Sequence, residues 1–315
     1  MLLKVEELSV HYLTRKGVVH AVDDLSLELR RGETLALVGE SGSGKSTLGL
    51  AIMRILPPPG RIVSGRAILD GIDLLKLTED EMREIRGHKV SMVFQDPFTT
   101  LDPLRRASDV VAEVMMEHGV GEREAKERAL ELLRRVGIPE KLVDAYPHQL
   151  SGGQKQRVSI AAAIALGPSL LIADEPTTAL DVIVQRQIMD LLDEIRRGSE
   201  MSMVLITHDI ALALERSDRI CVMYAGKLME VGTKEEIMNS PMHPYTKGLL
   251  SSLPRLLSSE WPSSIPGSPP DLRNPPSGCR FHPRCSGAME ICRRETPAII
   301  RVGGEHIVSC WLHGG

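Results

Sequence analysis

The sequence predicts an α/β fold that binds a nucleoside triphosphate. An α-helical block interrupts this fold, and an irregular arm rich in proline and cysteine ends it. Three observations carry the reading. First, Gly39-Glu40-Ser41-Gly42-Ser43-Gly44-Lys45-Ser46-Thr47 matches the phosphate-loop pattern, glycine, four residues, glycine, lysine, then serine or threonine. Second, apolar runs of strand length end in polar residues: Val90–Phe94 before Gln95, Leu170–Ala173 before Asp174-Glu175, and Met203–Thr207 before His208. Parallel strands deliver their chemistry at their C-terminal ends in this way. Third, nine of the 20 prolines fall between Pro254 and Pro297, and four of the five cysteines lie in the last 37 residues.

The context of the glycine-rich loop supports the match. Thr34-Leu35-Ala36-Leu37-Val38 is an apolar strand before it, and Leu48–Leu56 continues as a helix that stops at Pro57-Pro58-Pro59. Gly39, Gly42 and Gly44 let the backbone turn tightly, so that N–H groups around Ser41 and Ser43 converge on phosphate oxygens. The following helix contributes the positive end of its dipole. Lys45 should reach the β- and γ-phosphates, and the Ser46 hydroxyl, which completes the pattern just before Thr47, should sit on Mg²⁺.

Composition sets bounds. A chain of 315 residues suggests about two domains, and 42% hydrophobic content with 3% aromatics gives an aliphatic core. A net charge of −4 argues against a general nucleic-acid binder. Met1–Glu7 carries charges where a secretory signal needs an apolar stretch, and Gly167-Pro168 breaks the most apolar run, 161–173. The expected location is the cytosol or the cytosolic face of a membrane, held there by partners.

In chain order, residues 1–33 read as two or three short strands around Thr14–Gly17. Tyr12 is then either a strand aromatic or a platform for an adenine ring. Residues 61–75 suggest a hairpin. Gln95, at a strand end before Asp96-Pro97, is placed to touch Mg²⁺ or the attacking water, or simply marks a turn. Asp109–Glu117 and Glu122–Val136 read as helices. In the second, Ala125, Ala129, Leu132, Leu133 and Val136 form the apolar face. Ser151 and Gln154 fit a capping box around Gly152-Gly153 and open a helix to Leu166. Two glycines in a first turn are costly in helix propensity, which suggests a second anion site there. Asp174 can hold Mg²⁺ and Glu175 can deprotonate a water. Thr178–Asp181 opens the next helix, 182–196. His208 could bond the γ-phosphate, and Asp209 could cap a helix. A hairpin at 220–231 and a short helix at 234–238 follow. Cys221, inside that hairpin, reads as a buried apolar residue.

The ordered set Gly39–Thr47, Gln95, Leu150-Ser151-Gly152-Gly153-Gln154, Leu170–Glu175, Asp181 and His208 resembles the ATP-binding cassette of ABC transporters. The resemblance covers about 1–250, with a helical subdomain at about 98–165. It implies a mixed sheet with helices on both faces, an antiparallel N-terminal β-subdomain and ATPase activity. It also implies a head-to-tail cassette dimer with ATP between one phosphate loop and the partner's signature helix. In that arrangement Tyr12 is the adenine platform, Gln95 the lid and Mg²⁺ contact, Glu175 the general base and His208 the γ-phosphate sensor. Ser151, Gly152, Gly153 and Gln154 serve the partner's ATP, and Asp181 couples the two sites.

The tail, with His243-Pro244-Tyr245-Thr246-Lys247-Gly248-Leu249-Leu250 and an extension at 251–315, resembles the ATPase subunits of oligopeptide and dipeptide importers. That implies a paralogous second ATPase as heterodimer partner, two membrane permeases and an extracytoplasmic solute-binding protein. Nickel and oligosaccharide importers use the same ATPase type. A soluble non-transport cassette protein is the remaining alternative. Cys279, Cys285, Cys292 and Cys310 do not follow usual zinc-finger or ferredoxin spacing. Four cysteines in a short arm still suggest a metal staple. The resemblance implies a [4Fe–4S] cluster, with Zn²⁺ as the alternative.

Overall fold

The computed structural model describes residues 1–253 and 264–314; part of the proline-rich arm therefore lies outside the described residues. The chain forms two compact units, one of residues 1–75 with 205–315 and one of residues 76–204.

The first unit begins with two long strands, β1 (Leu3–Thr14) and β2 (Gly17–Leu29), where two or three short ones were expected. Their length rests on register shifts between Val5 and His11, which bend the pair without ending it. β3 (Thr34–Val38) is wholly buried and leads through the glycine loop into α1 (Lys45–Ile52). α1 stops short of the expected Leu56. Arg54 takes a φ of +54°, and its guanidinium donates to the Leu74 carbonyl at 3.1 Å. β4 (Gly60–Leu69) and β5 (Ile72–Asp73) form the expected hairpin and complete an antiparallel sheet in the order β2-β1-β4-β5.

The second unit carries the helical block. α2 (Glu79–Ile85) leads to β6 (Val90–Val93), and α3 (Pro97–Thr100) follows Gln95. α4 (Ala107–Met116) and α5 (Glu122–Arg135) fall where the apolar periodicity puts them. Ala125, Ala129, Leu133 and Val136 are fully buried, while Leu132 at the edge of that face is half-buried. α6 (Gly152–Ile164) precedes β7 (Leu170–Asp174), which pairs parallel to β6. α7 (Val182–Ser199) and β8 (Ser202–Thr207) lead back to the first unit.

There, α8 (Ile210–Arg216) precedes β9 (Arg219–Tyr224), parallel to β3, and β10 (Lys227–Thr233), antiparallel to β9. α9 (Lys234–Asn239) and α10 (Pro244–Ser251) follow. The described arm is irregular apart from single turns and the hairpin β11 (Ile299–Gly303) and β12 (His306–Ser309), and β12 pairs with β10. A buried hydrogen-bonded pair seals that junction. Glu230, fully buried, lies 2.6 Å from His306 Nε2 and accepts from the backbone N–H of Met242 and of His243. Phe281 of the arm packs against Tyr224, Tyr245 and His243. Among the described residues, no helix is long and apolar enough to cross a membrane.

Candidate functional site

In the first unit the glycine loop closes on its own lysine. Lys45 is buried, and its ammonium donates to the Gly39 carbonyl at 2.7 Å, the Glu40 carbonyl at 3.0 Å and Ser43 Oγ at 3.3 Å. Two of the glycines are obligatory for close approach. A Cβ at Gly39 would lie 2.1 Å from the Met223 carbonyl oxygen, and one at Gly44 would lie 2.0 Å from that of Ala21. Gly44 also takes a φ of +100° and Gly42 one of +77°. The loop is thus threaded between β2 and β9, with the Gly226 N–H donating to the Ser43 carbonyl at 2.9 Å. Ser41 is exposed, and Ser46 and Thr47 are half-buried in the first turn of α1. Tyr12, on β1, brings its hydroxyl to 3.3 Å from Thr47 Oγ1, with its ring edge over Gly60. His208 is exposed at the end of β8, and Asp209 caps α8 by accepting from the N–H groups of Ala211 and Leu212.

In the second unit the structure joins two residues 80 apart in sequence: Gln95 Nε2 donates to Glu175 Oε2 at 2.9 Å. Thr178 donates to the same oxygen at 2.9 Å. Glu175 takes a φ of +44°, a conformation that costs a non-glycine residue about 1–2 kcal/mol. Strain of this kind concentrates at functional positions. Asp174, one residue back on β7, is buried. Gln95 and Asp174 in this unit, and Ser46 in the first, each carry an oxygen donor of the hard kind that Mg²⁺ prefers.

The capping box at Ser151 forms as expected. Ser151 N–H donates to Gln154 Oε1 at 2.9 Å, and Gln154 N–H donates to Ser151 Oγ at 3.3 Å. Gly153 has an internal reason that sequence reasoning missed. A Cβ there would lie 2.5 Å from Val184 Cγ1, so the glycine lets α6 start against α7. Asp181 caps α7, with Val184 N–H donating to its Oδ1 at 3.0 Å. The two residues that follow Asp181, Val182 and Ile183, are 78% and 71% exposed.

Cys221 is fully buried, and burial pushes its thiol up to about 12. In the arm, Cys279, Cys292 and Cys310 are buried and Cys285 is half-buried. Burial pushes the Cys279 thiol up to about 11, against a lowering hydrogen bond from the Phe281 backbone, and Cys292, Cys310 and Cys285 nearby add to the rise. The four thiols therefore share one neighbourhood. Among the described residues, however, no three His, Cys, Asp or Glu side chains form a group arranged to hold a metal ion. The four thiols carry the donor chemistry that suits a soft metal.

Residues 22–178 match the ABC transporter family, and residues 229–292 match the oligopeptide/dipeptide transporter C-terminal region. The chain is 47% identical to the oligopeptide transport ATP-binding protein OppD of Bacillus subtilis, an alignment covering 99% of this chain and 88% of that one. It is 46% identical to the dipeptide transport ATP-binding protein DppD of the same organism, covering 98% and 94%. To DppD of Haemophilus influenzae it is 47% identical, covering 97% and 94%. The structure resembles the dimeric ATP-binding cassette MJ0796 in a post-hydrolysis state with ADP and Pi, with a TM-score of 0.67 and 31% identity over 74% of this chain and 99% of that one. It also resembles cbiO1 of Clostridium perfringens, with a TM-score of 0.65 and 33% identity over 76% and 91%. Fold and phosphate loop define an ATP-hydrolysing cassette. The chain belongs to the ABC transporter family, as an ATP-binding protein that also carries the oligopeptide/dipeptide transporter C-terminal region.

Proposed function

We propose that this protein hydrolyses ATP to power uptake of di- and oligopeptides across the cytoplasmic membrane, from a peripheral position on its cytoplasmic face. The carrying observation is near-full-length identity to relatives named as oligopeptide and dipeptide transport ATP-binding proteins. In this reading Gly39–Thr47 cradles the phosphates, and Tyr12 stacks on the adenine. Ser46, Gln95 and Asp174 would hold Mg²⁺, which would neutralise phosphate charge. Glu175 takes the proton of the attacking water, and His208 bonds the γ-phosphate. The hydrogen bond from Gln95 supports the base role, because it fixes the direction of the Glu175 carboxylate.

Ser151–Gln154 and Asp181 act on the ATP of a second cassette, a paralogous ATPase in a head-to-tail dimer under two permeases, fed by a solute-binding protein. Exposed Val182 and Ile183 beside Asp181 support a partner surface there, since adjacent aliphatic side chains gain by leaving water. Affinity purification from native membranes with mass spectrometry should recover two permeases and a second ATPase. Vesicles rebuilt from them should accumulate labelled di- and oligopeptides. Uptake of nickel or oligosaccharide instead would sink the peptide reading, and purification as a free monomer with full turnover would sink the transport reading.

The proximity of four arm thiols supports a second proposal, a [4Fe–4S] cluster bound by Cys279, Cys285, Cys292 and Cys310, with Zn²⁺ as the alternative. Broad visible absorption of the anaerobically purified chain is the expected result. A colourless chain with one equivalent of zinc selects the alternative, and a colourless chain without metal removes both.

A further inference from the structure

The arm reaches the phosphate loop through one guanidinium. Arg284 Nη1 donates to Glu40 Oε2 at 2.6 Å, and Nη2 donates to Glu40 Oε1 at 3.0 Å, a two-pronged pair across 244 residues of sequence. The remaining donors are also used: Nε reaches the Pro266 carbonyl at 2.8 Å, Nη2 the Ile265 carbonyl at 3.3 Å, and Nη1 the Tyr224 hydroxyl at 3.2 Å. The Arg284 side chain is only 5% exposed. Glu40 is held at every polar group. Its N–H donates to the Tyr245 hydroxyl at 2.9 Å, its carbonyl accepts from Lys45 at 3.0 Å, and its carboxylate lies in the Arg284 fork. Pro269, Pro270 and Leu272 of the arm line the outer side of Glu40–Ser43 and leave a space of about 10 Å³, the lower limit for one water.

The phosphate-loop pattern leaves position 40 open to any residue. A carboxylate there is an electrostatic liability, because the loop must receive a polyanion. A bare Glu40 would repel the incoming phosphates, and a mobile one would loosen the carbonyl that orients Lys45. We propose that Arg284 is a positioning residue for nucleotide binding: it neutralises Glu40, turns its carboxylate away from the phosphates and so ties the C-terminal arm to the affinity of the loop for MgATP. This rests on reading Gly39–Thr47 as the phosphate site. Lysine cannot substitute fully, since it lacks the planar fork.

The test is MgATP binding to the full chain by calorimetry. Arg284→Met should raise Kd at least tenfold, and Arg284→Lys should fall between it and the native chain. The double variant Glu40→Gln/Arg284→Met should return to within threefold of the native chain, because removing the carboxylate removes the need for its counter-ion. In the assembled transporter, Arg284→Lys should raise KM for ATP with kcat within threefold. Loss of affinity in Arg284→Met that the double variant does not restore would reduce Arg284 to a scaffold of the arm and overturn the proposal. So would unchanged affinity in Arg284→Met and Arg284→Lys. Lys45→Ala, which should abolish binding, separates the two readings. If it binds normally, the phosphate-site reading itself falls.

Discussion

At the scale of single residues, the backbone does as much as the side chains. Gly39 and Gly44 are set by carbonyl oxygens of β9 and β2 that would collide with any Cβ. Glu175 stays in a left-handed conformation that an ordinary residue avoids. Its carboxylate is held by Gln95 and Thr178, both of which donate to the same oxygen. Glutamine at 175 keeps an acceptor for both donors but cannot take a proton. Glu175→Gln should therefore bind MgATP as tightly as the native chain and slow hydrolysis by about 10²–10⁴. Turnover near the native rate in a single-turnover assay would take the base role away from Glu175.

At the scale of elements, helix starts were legible because they depend on residues three apart. The capping box at Ser151–Gln154 forms, and Asp181 and Asp209 cap their helices. The end of α1 was not legible. Arg54 turns left-handed with its guanidinium on Leu74, 20 residues away. Gly153 teaches the same point: its proximity to Val184 depends on how α6 meets α7, which no local pattern encodes. Ser151→Ala should lower the stability of the nucleotide-free chain by about 1 kcal/mol in urea unfolding, the usual loss of a cap. A residue that served only phosphate binding would leave that stability unchanged.

At the scale of the molecule, the arm is part of the first unit and not an appendage. β12 extends the sheet beyond β10, and Phe281 packs among buried rings of the same unit. His243, 1% exposed, caps α10 by accepting from Tyr245 N–H at 3.0 Å. Burial, with His313 and Lys247 adding, pulls its pKa down to about 3. An unfolded chain protonates this histidine near pH 6.5 and the folded chain does not. Its contribution is thus complete above about pH 6.5 and is lost as pH falls toward 3, by up to about 1.4 kcal/mol per pH unit. Urea unfolding across pH 4–7 should show this acid slope. His243→Asn, which keeps a capping acceptor without a titrating ring, should flatten it by one proton. An unchanged slope would remove His243 as its source.

The sequence by itself determined whatever rests on short spacing. The phosphate loop, the capped signature helix, the strand ends at Gln95 and Asp174-Glu175 and the irregular arm all follow from contacts within a few residues. Helix and strand geometry already constrain those contacts. Only the tertiary structure decided that Lys45 folds back onto the Gly39 and Glu40 carbonyls, that Gln95 meets Glu175, that Glu230 meets His306, and that Arg284 grips Glu40. Each of the last three pairs residues at least 76 positions apart. A charged fork or a buried hydrogen-bonded pair forms only where packed strands and turns bring both partners out of water at one distance and angle. That is a property of the whole packing and not of any stretch of sequence.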